Sequence, residues 1–337
     1  MGVTIKDVAK KAGVSIASVS RVINDSKPVA PETKEKILKV IEETGYKPNA
    51  MARGLKKNES GLIGLITPDM ENGTFAELVK GIESVIEKNS MNLIVSNSKG
   101  EIERELKELQ ILKEQQLDGI LFSGVKFTKK HKEYFDRYKV PTIIVSQKFP
   151  GSGLPYVDVD NFQAAYEAVN YLIENNHSQI ALIHGPLYDK SAGQDRYDGF
   201  FEALKDKGIK ANSDFIKEGN FTIQSGYQAM EKILNENKEL PTAVFAASDR
   251  MAIGVLDCCL DNGIKVPEDI SIIGFDDIEL ATVVRPKLTT VRVDHSKLGE
   301  KSVELLIDKI KNKGKNECFY EADFEIIERE TVKEYIN

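Results

Sequence analysis

The chain has 337 residues, 41% of them hydrophobic, and a formal net charge of −7, a size that allows a large buried core and suggests two or three domains. No apolar run approaches the roughly 20 residues that cross a bilayer, and the N-terminal MGVTIKDVAKKAG lacks the apolar block of a secretory signal, so a location in the cytoplasm away from membranes is expected. The charge is uneven: residues 1–58 hold 12 Lys+Arg against 6 Asp+Glu, a net of +6, which leaves −13 for the rest. A small basic head on an acidic body implies that the head alone meets a polyanion.

In chain order, Thr4 is a good N-cap for Ile5 to Lys11, whose Ile5, Val8 and Ala9 fall at helical spacing. This helix should end at Ala12. Gly13 tolerates the left-handed backbone of a C-terminal cap, and Ser15 can cap the next helix through its hydroxyl. Ala9 leaves room where two helices cross, and Val19 and Ile23 face back onto Val8, the pattern of a helix-turn-helix. The opposite face of the second helix offers Ile16, Ala17, Ser20, Arg21 and Asn24. Arg21 can take a guanine edge in bidentate fashion and Ile16 and Ala17 can touch thymine methyls, while Ser18, Ser20 and Asn24 can reach phosphate oxygens. Thr4, Ser15 and Thr33 complete the expected phosphate contacts.

Residues 45–61, GYKPNAMARGLKKNESG, carry one short apolar strip, Ala50, Met51, Ala52 and Leu55. About eight helical residues are too few to be stable in water, and Gly54 weakens them further. After Gly61 seven apolar runs alternate with amphipathic stretches: GLIGLITPD, MNLIVSNS, DGILFSG, PTIIVSQ, QIALIHGP, TAVFAAS and ISIIGFDD. Such alternation implies parallel sheets built from βαβ units, and the interruption PGSGLPYVDVDN suits two lobes better than one sheet. Ligands of open α/β sheets sit beyond the carboxyl ends of the strands. The polar residues there are Asp69, Ser96, Ser123, Ser146 and Gln147, then Ser248, Asp249, Asp276 and Asp277, although a helix-cap or loop role fits each of them as well.

The same residues weigh against other chemistries. No strand is followed by a dinucleotide or triphosphate cradle, and His184 after QIALI has no nucleophile elbow beside it, so the chain is not expected to be an enzyme. The histidines His131, His177, His184 and His295 are scattered without ligand spacing, so neither metal nor cofactor is expected. Cys258 and Cys259 lie in RMAIGVLDCCL, which reads as a buried helix face, and with Cys318 they cannot all pair; reduced core thiols are expected.

The segments TIKDVAKKAGVSIASVSRVIN and ETKEKILKVIEETGYKPNAMARGLK resemble the DNA-binding headpiece of the LacI/GalR family of bacterial transcription regulators. The likeness is ungapped over about the first 57 residues and continues more loosely through the chain. It implies an all-α headpiece (1–45), a hinge (46–60) and an α/β body (61–337) resembling a periplasmic sugar-binding protein. The expected N-lobe is residues 61–160 and 291–320, and the expected C-lobe 161–290 and 321–337. It places Ile16, Ala17 and Arg21 at base-reading positions. Arg21 matches the usual residue, whereas Ile16 and Ala17 are small or apolar where the family's namesake is polar. Ala30 departs from the usual Ser at the start of the third helix, and Pro31 and Glu32 partly compensate. The hinge, with Asn49, Met51 and Ala52, becomes a helix in the minor groove in this family, and Leu55 occupies the place of a leucine that wedges between base pairs.

In the body, SAGQDRYDGF resembles a ligand-gripping segment with Arg196 at the gripping position. ASDRMAIG brings Ser248 to the pocket, and GFDDIELA matches a motif whose first acid, Asp276, accepts hydrogen bonds from the ligand. Phe75 supplies an apolar floor, with Thr74 where the family often has a second aromatic, and Asp69 and Ser146 join from the first lobe. An Arg and an Asp across a cleft suit a polyhydroxylated ligand. The expected function is a homodimeric repressor of carbohydrate-related genes that reads a pseudo-palindromic operator under control of a sugar or sugar derivative. Two alternatives are a carbon-catabolite regulator whose body receives a phosphorylated carrier protein, and a transport-type sugar-binding protein. The second has no use for residues 1–57.

Overall fold

Residues 3–24, 27–46, 60–312 and 319–336 are described by the computed structural model. The chain divides into Met1–Gly61 and Leu62–Asn337. In the first unit, helix α1 (Ile5–Ala12) starts from a capping box: the Asp7 amide donates to Thr4 Oγ1 (3.4 Å) and the Thr4 amide to Asp7 Oδ2 (2.9 Å). It stops at Gly13, whose φ of 66° only glycine adopts without strain. Helix α2 (Ile16–Asn24) begins under Ser15, whose Oγ accepts the Ser18 amide at 3.1 Å. Helix α3 (Pro31–Thr44) has no side-chain cap at Ala30; Pro31 at the first position needs no amide partner, and Glu32 complements the dipole. Val8, Ala9, Ala12, Val19, Val22, Ile37 and Val40 form the core. Val22 takes an inner place that the spacing did not assign, while Ile23 packs only partly buried against the same cluster.

The second unit contains two six-stranded sheets. Strands β1 (Leu62–Thr67), β2 (Asn92–Asn97), β3 (Gly119–Phe122), β4 (Thr142–Val145) and β5 (Tyr156–Val159) join β11 (Phe319–Ala322) in the order β11-β5-β4-β3-β1-β2, all parallel. Strands β6 (Ile180–His184), β7 (Ile216–Glu218), β8 (Ala243–Ala246), β9 (Ser271–Asp276), β10 (Thr289–Val293) and β12 (Phe324–Ile327) form the other in the order β12-β10-β9-β8-β6-β7, with β12 alone antiparallel. Both faces of each sheet are covered, as parallel sheets require. Helices α4 (Gly73–Lys88) and α12 (His295–Asn312) cover one face of the first sheet through Leu78, Ile82, Leu298 and Leu306. Helices α5 (Ile102–Glu114) and α6 (Lys129–Tyr138) cover the other through Leu109, Leu112 and Phe135. On the second sheet α7 (Asn161–Glu174) and α8 (Arg196–Asp206) lie opposite α9 (Ile223–Glu236) and α10 (Asp249–Asp261), and a short α11 (Glu279–Val283) follows β9.

The chain passes between the sheets after β5, after β10 and after β11. The second crossing falls after Val293, where β10 ends its pairing with β9 at Arg292 opposite Asp276. The third falls after Ala322, which still pairs with Val159. Cys258 and Cys259 are fully buried on α10, and burial pushes their thiols up to about 11 and about 12, which makes them poor nucleophiles. Among the described residues no helix is long and apolar enough to cross a membrane, and no cluster of three or more His, Cys, Asp or Glu could hold a metal ion.

Candidate functional site

Two places concentrate chemistry. The first is the outer face of α2. Ile16, Ala17 and Arg21 are exposed there, Ile16 by 45%, on the side away from buried Val19 and Val22. An isoleucine and an arginine both exposed on this helix suit a groove that offers methyl groups and guanine edges. Ser18 and Ser20 are half-buried along the same helix, Thr33 is half-buried in the first turn of α3, and Thr4 and Ser15 are exposed at the two N-caps. The Ser15 and Ser18 hydroxyls are 2.9 Å apart. Asn49, Met51, Ala52 and Leu55, with the Asn24 side chain, lie outside the described residues.

The second place is where the carboxyl ends of the two sheets meet. Non-glycine residues with left-handed backbones beyond these strand ends include Lys99 after β2, Ser146 after β4, Phe221 after β7, and Asp276 and Asp277 at the end of β9, with φ of 53°, 53°, 63°, 115° and 55°. Such conformations persist only where the surroundings impose them, and they gather at ligand sites. A π-helical turn, Lys190–Asp195, leads into Arg196; Asp189 caps it by accepting the Ala192 amide, and Gly193 lies so close to the Pro186 carbonyl that an added Cβ would be 2.0 Å away.

That turn delivers Arg196 into a buried slot. Its Nε donates to Asn161 Oδ1 (2.8 Å), Nη1 to the Ala247 carbonyl (2.7 Å) and Nη2 to Asp276 Oδ1 (3.5 Å), and its plane lies 3.5 Å from the Phe275 ring centroid. A guanidinium carries five donors, so this arrangement orients the group and leaves N–H bonds for a ligand. Asp276 also faces His295 Nε2 at 3.8 Å. Ser248 is buried and caps α10 by accepting the Met251 amide (3.3 Å).

From the first lobe, Gln147 reaches across: its Nε2 donates to Asp189 Oδ1 (2.8 Å) and its Oε1 accepts the Ser191 amide (3.0 Å). Ser191 Oγ donates to Asp158 Oδ2 (2.7 Å), and the Lys148 amide donates to Ser191 Oγ (3.2 Å). Burial pushes the Asp158 carboxyl up to about 6, against the pull of the Ser191 hydroxyl. Burial alone depresses Lys148, but Asp195, 3.2 Å from its ammonium, with Asp158 and Asp160, carries it above the ordinary lysine value. Asp69 meets Arg250 of the second lobe at 3.4 Å. Ser146 is half-buried next to Gln147, and Phe75 is half-buried at the start of α4 against the core, so neither makes a polar contact in this network.

Arg196 and Asp276 are therefore in direct contact and Ser248 adjoins Ala247, whose carbonyl Arg196 holds, whereas Asp69 sits in a separate bridge. Asp158, Asn161, Phe221 and His295 were not singled out from sequence. The alternation in YVDVDN was the available signal for Asp158 and Asn161; nothing local marks Phe221, whose ring fills the space a Gly185 side chain would need. A cavity of about 430 Å³ lies elsewhere, around Gln179, Lys210, Asn212 and Phe215 at the amino end of β6 and before β7; its rim is mostly exposed side chains, and none of the residues above lines it.

The profile described as bacterial regulatory proteins of the lacI family matches residues 4–49, and that of a periplasmic binding protein-like domain matches residues 169–332. Catabolite control protein A of Priestia megaterium is 40% identical over 306 residues, covering 91% of this chain and 92% of that protein. The lac repressor dimer bound to operator and the anti-inducer ONPF superposes with a TM-score of 0.90 at 27% identity, covering 99% of this chain and all of the other. A LacI family transcriptional regulator from Enterococcus faecium with bound ribose gives 0.72 at 27% identity, covering 82% of this chain and all of that one. A helix-turn-helix head, a two-sheet body and a relative of this similarity along nearly the whole length lead to one conclusion: the chain belongs to the LacI family of bacterial transcription regulators.

Proposed function

We propose that this chain is a cytoplasmic, homodimeric repressor of carbohydrate-related genes that binds a pseudo-palindromic operator and takes a sugar or sugar derivative between its lobes. The observation that carries the effector reading is the Arg196–Asp276 contact: a buried, three-point-anchored donor beside a buried acceptor at the strand ends. That pairing supplies both halves of what a ring hydroxyl needs. The bound ribose of the Enterococcus regulator and the operator of the lac repressor complex support the two halves of this reading. Asp69, Phe75, Ser146 and Ser248 complete the proposed pocket, and Asn49, Met51, Ala52 and Leu55 the proposed minor-groove hinge. A phosphorylated co-regulator needs a basic surplus on an exposed first-lobe helix. On α12, Lys297 is paired with Glu300 (3.0 Å) and Lys301 with Glu304 (2.7 Å), whereas Lys309 and Lys311 stand in its last turn; these two lysines, with the 40% identity to catabolite control protein A, support the phosphorylated co-regulator as the second reading.

A thermal-shift screen of sugars, sugar phosphates and purines tests it. A ligand at 100 times its Kd stabilises the folded body by about 2.7 kcal/mol. The expected result is a rise in Tm with a sugar that disappears in Arg196→Ala and Asp276→Ala while both variants still bind DNA. A rise with purines alone, or one that survives both substitutions, contradicts the reading.

A further inference from the structure

We infer that Asp249 is the residue that positions Asp276. Asp249 is completely buried at the first turn of α10 and touches no surface from which a ligand could reach it. Its Oδ2 accepts the Ile278 amide at 2.8 Å, and its Oδ1 accepts the Thr290 hydroxyl at 2.5 Å. These bonds clasp the far end of a turn in which two consecutive side-chain-bearing residues, Asp276 and Asp277, both have positive φ. A backbone of that kind relaxes unless it is held from several sides. Here it is held from three: Asp249 fixes Ile278 from α10, Arg292 of β10 fixes Asp277 through Nε–Oδ2 (2.6 Å), and Arg329 fixes it through Nη2–Oδ1 (2.5 Å). Asp277 faces away to the two arginines, which leaves Asp276 turned toward Arg196 and His295.

Gly274 supports this assignment independently. An added Cβ there would come within 2.3 Å of Asp249 Oδ1, so the strand has given up a side chain where the carboxyl sits. Burial, with Asp276 and Asp277 nearby, raises the Asp249 carboxyl well above the ordinary carboxylate range. An asparagine has the same shape in this place: its carbonyl can accept the Ile278 amide, and its NH2 group can donate to Thr290 Oγ1 in place of the bond that the Thr290 hydroxyl donates to the carboxylate.

The inference rests on Asp276 belonging to the effector pocket, but its test uses no ligand, so the pocket can fail while the positioning role stands, and the reverse. Hydrogen–deuterium exchange of the full-length protein is followed in Asp249→Ala, Asp249→Asn and Thr290→Val, with folding checked by circular dichroism. Asp249→Ala should speed exchange in the 276–283 segment at least tenfold while β8 and α9 change less than twofold. Asp249→Asn should restore protection to within twofold of the parent, and Thr290→Val should give an intermediate rise in the same segment. If Asp249→Ala does not fold, the other two variants decide. Unchanged exchange in Thr290→Val, failure of Asp249→Asn to protect, or loss spread evenly over the second lobe would overturn the assignment.

Discussion

At the scale of single residues, what separates Arg21 from its neighbours is exposure without a structural task. Val19 and Val22 hold the head together; Ile16, Ala17 and Arg21 hold nothing and face outward. Replacing Arg21 by Ala should therefore leave folding intact and cost roughly 1–3 kcal/mol at the specific site, with non-specific binding nearly unchanged, in fluorescence-anisotropy titrations. Equal losses on both DNAs would mean that Arg21 touches only phosphate. Asp158 makes a different prediction. Its folded pKa, about 6, lies above that of an unfolded aspartate, so its contribution to stability is complete below about pH 4 and is lost as pH rises through 6. Relative to Asp158→Asn, the parent should lose roughly 3 kcal/mol between pH 4 and pH 8, read from urea midpoints across that range. Parallel pH curves for the two proteins would contradict the burial argument. Arg196 and Asp276 were legible because their motifs are local; their partners were not. Arg196 bonds to residues 35, 51 and 80 positions away, and no window of sequence contains such a contact.

At the scale of elements, the seven apolar runs announced β1–β4, β6, β8 and β9, since strands covered on both faces read as continuous hydrophobic stretches. Strands β5, β10, β11 and β12 were hidden. Their YVDV, TTVRV, FYEA and FEII mix polar with apolar residues: β11 and β12 are sheet edges with partly exposed side chains, while β5 and β10 lie inside the sheets and bury polar Asp158, Thr289 and Thr290. β7, three residues long at a sheet edge, leaves no signal at all. The glycines divide in the same way. Gly13 was readable as a cap; Gly81 was not, because its reason is a neighbour far along the chain. A Cβ on Gly81 would lie 1.8 Å from the Ser296 carbonyl oxygen, and one on Gly299 would lie 2.2 Å from that of Leu78, so α4 and α12 cross backbone against backbone. Gly81→Ala should destabilise the body by about 1–3 kcal/mol or more, because the obstruction is main chain that cannot rotate away. Gly13→Ala, with nothing nearer than 3.7 Å, should show only the conformational cost of about 1–2 kcal/mol. Denaturant titration of both variants reads these losses; a loss for Gly81→Ala no larger than a few tenths would contradict the close crossing.

At the scale of the whole molecule, the residues divide by charge and by chemistry. A head of net +6 presents an exposed reading face, and a body of net −13 keeps its polar network at the strand ends of two sheets. The body's lobes are joined by three crossings and by side chains that reach across: Gln147 to Asp189 and Ser191, Lys148 to Asp195, and Asp69 to Arg250. A ligand that favours one arrangement of these contacts shifts the lobes toward it, and through linkage changes DNA affinity by the same factor by which DNA changes its own. The head was legible almost entirely from sequence, since helix caps, turn and core lie within about forty residues; the lobe-to-lobe bonds became visible only in three dimensions.

The central claim, that the α2 face reads a two-fold symmetric DNA site, meets its most direct test in selection from a randomised duplex library with the full-length protein, with and without sugars. The account predicts enrichment of one pseudo-palindrome, with half-sites about one helical turn or a multiple of it apart, that is lost in Arg21→Ala. Recovery of no preferred sequence under any condition, or of a site lacking two-fold symmetry, would contradict it.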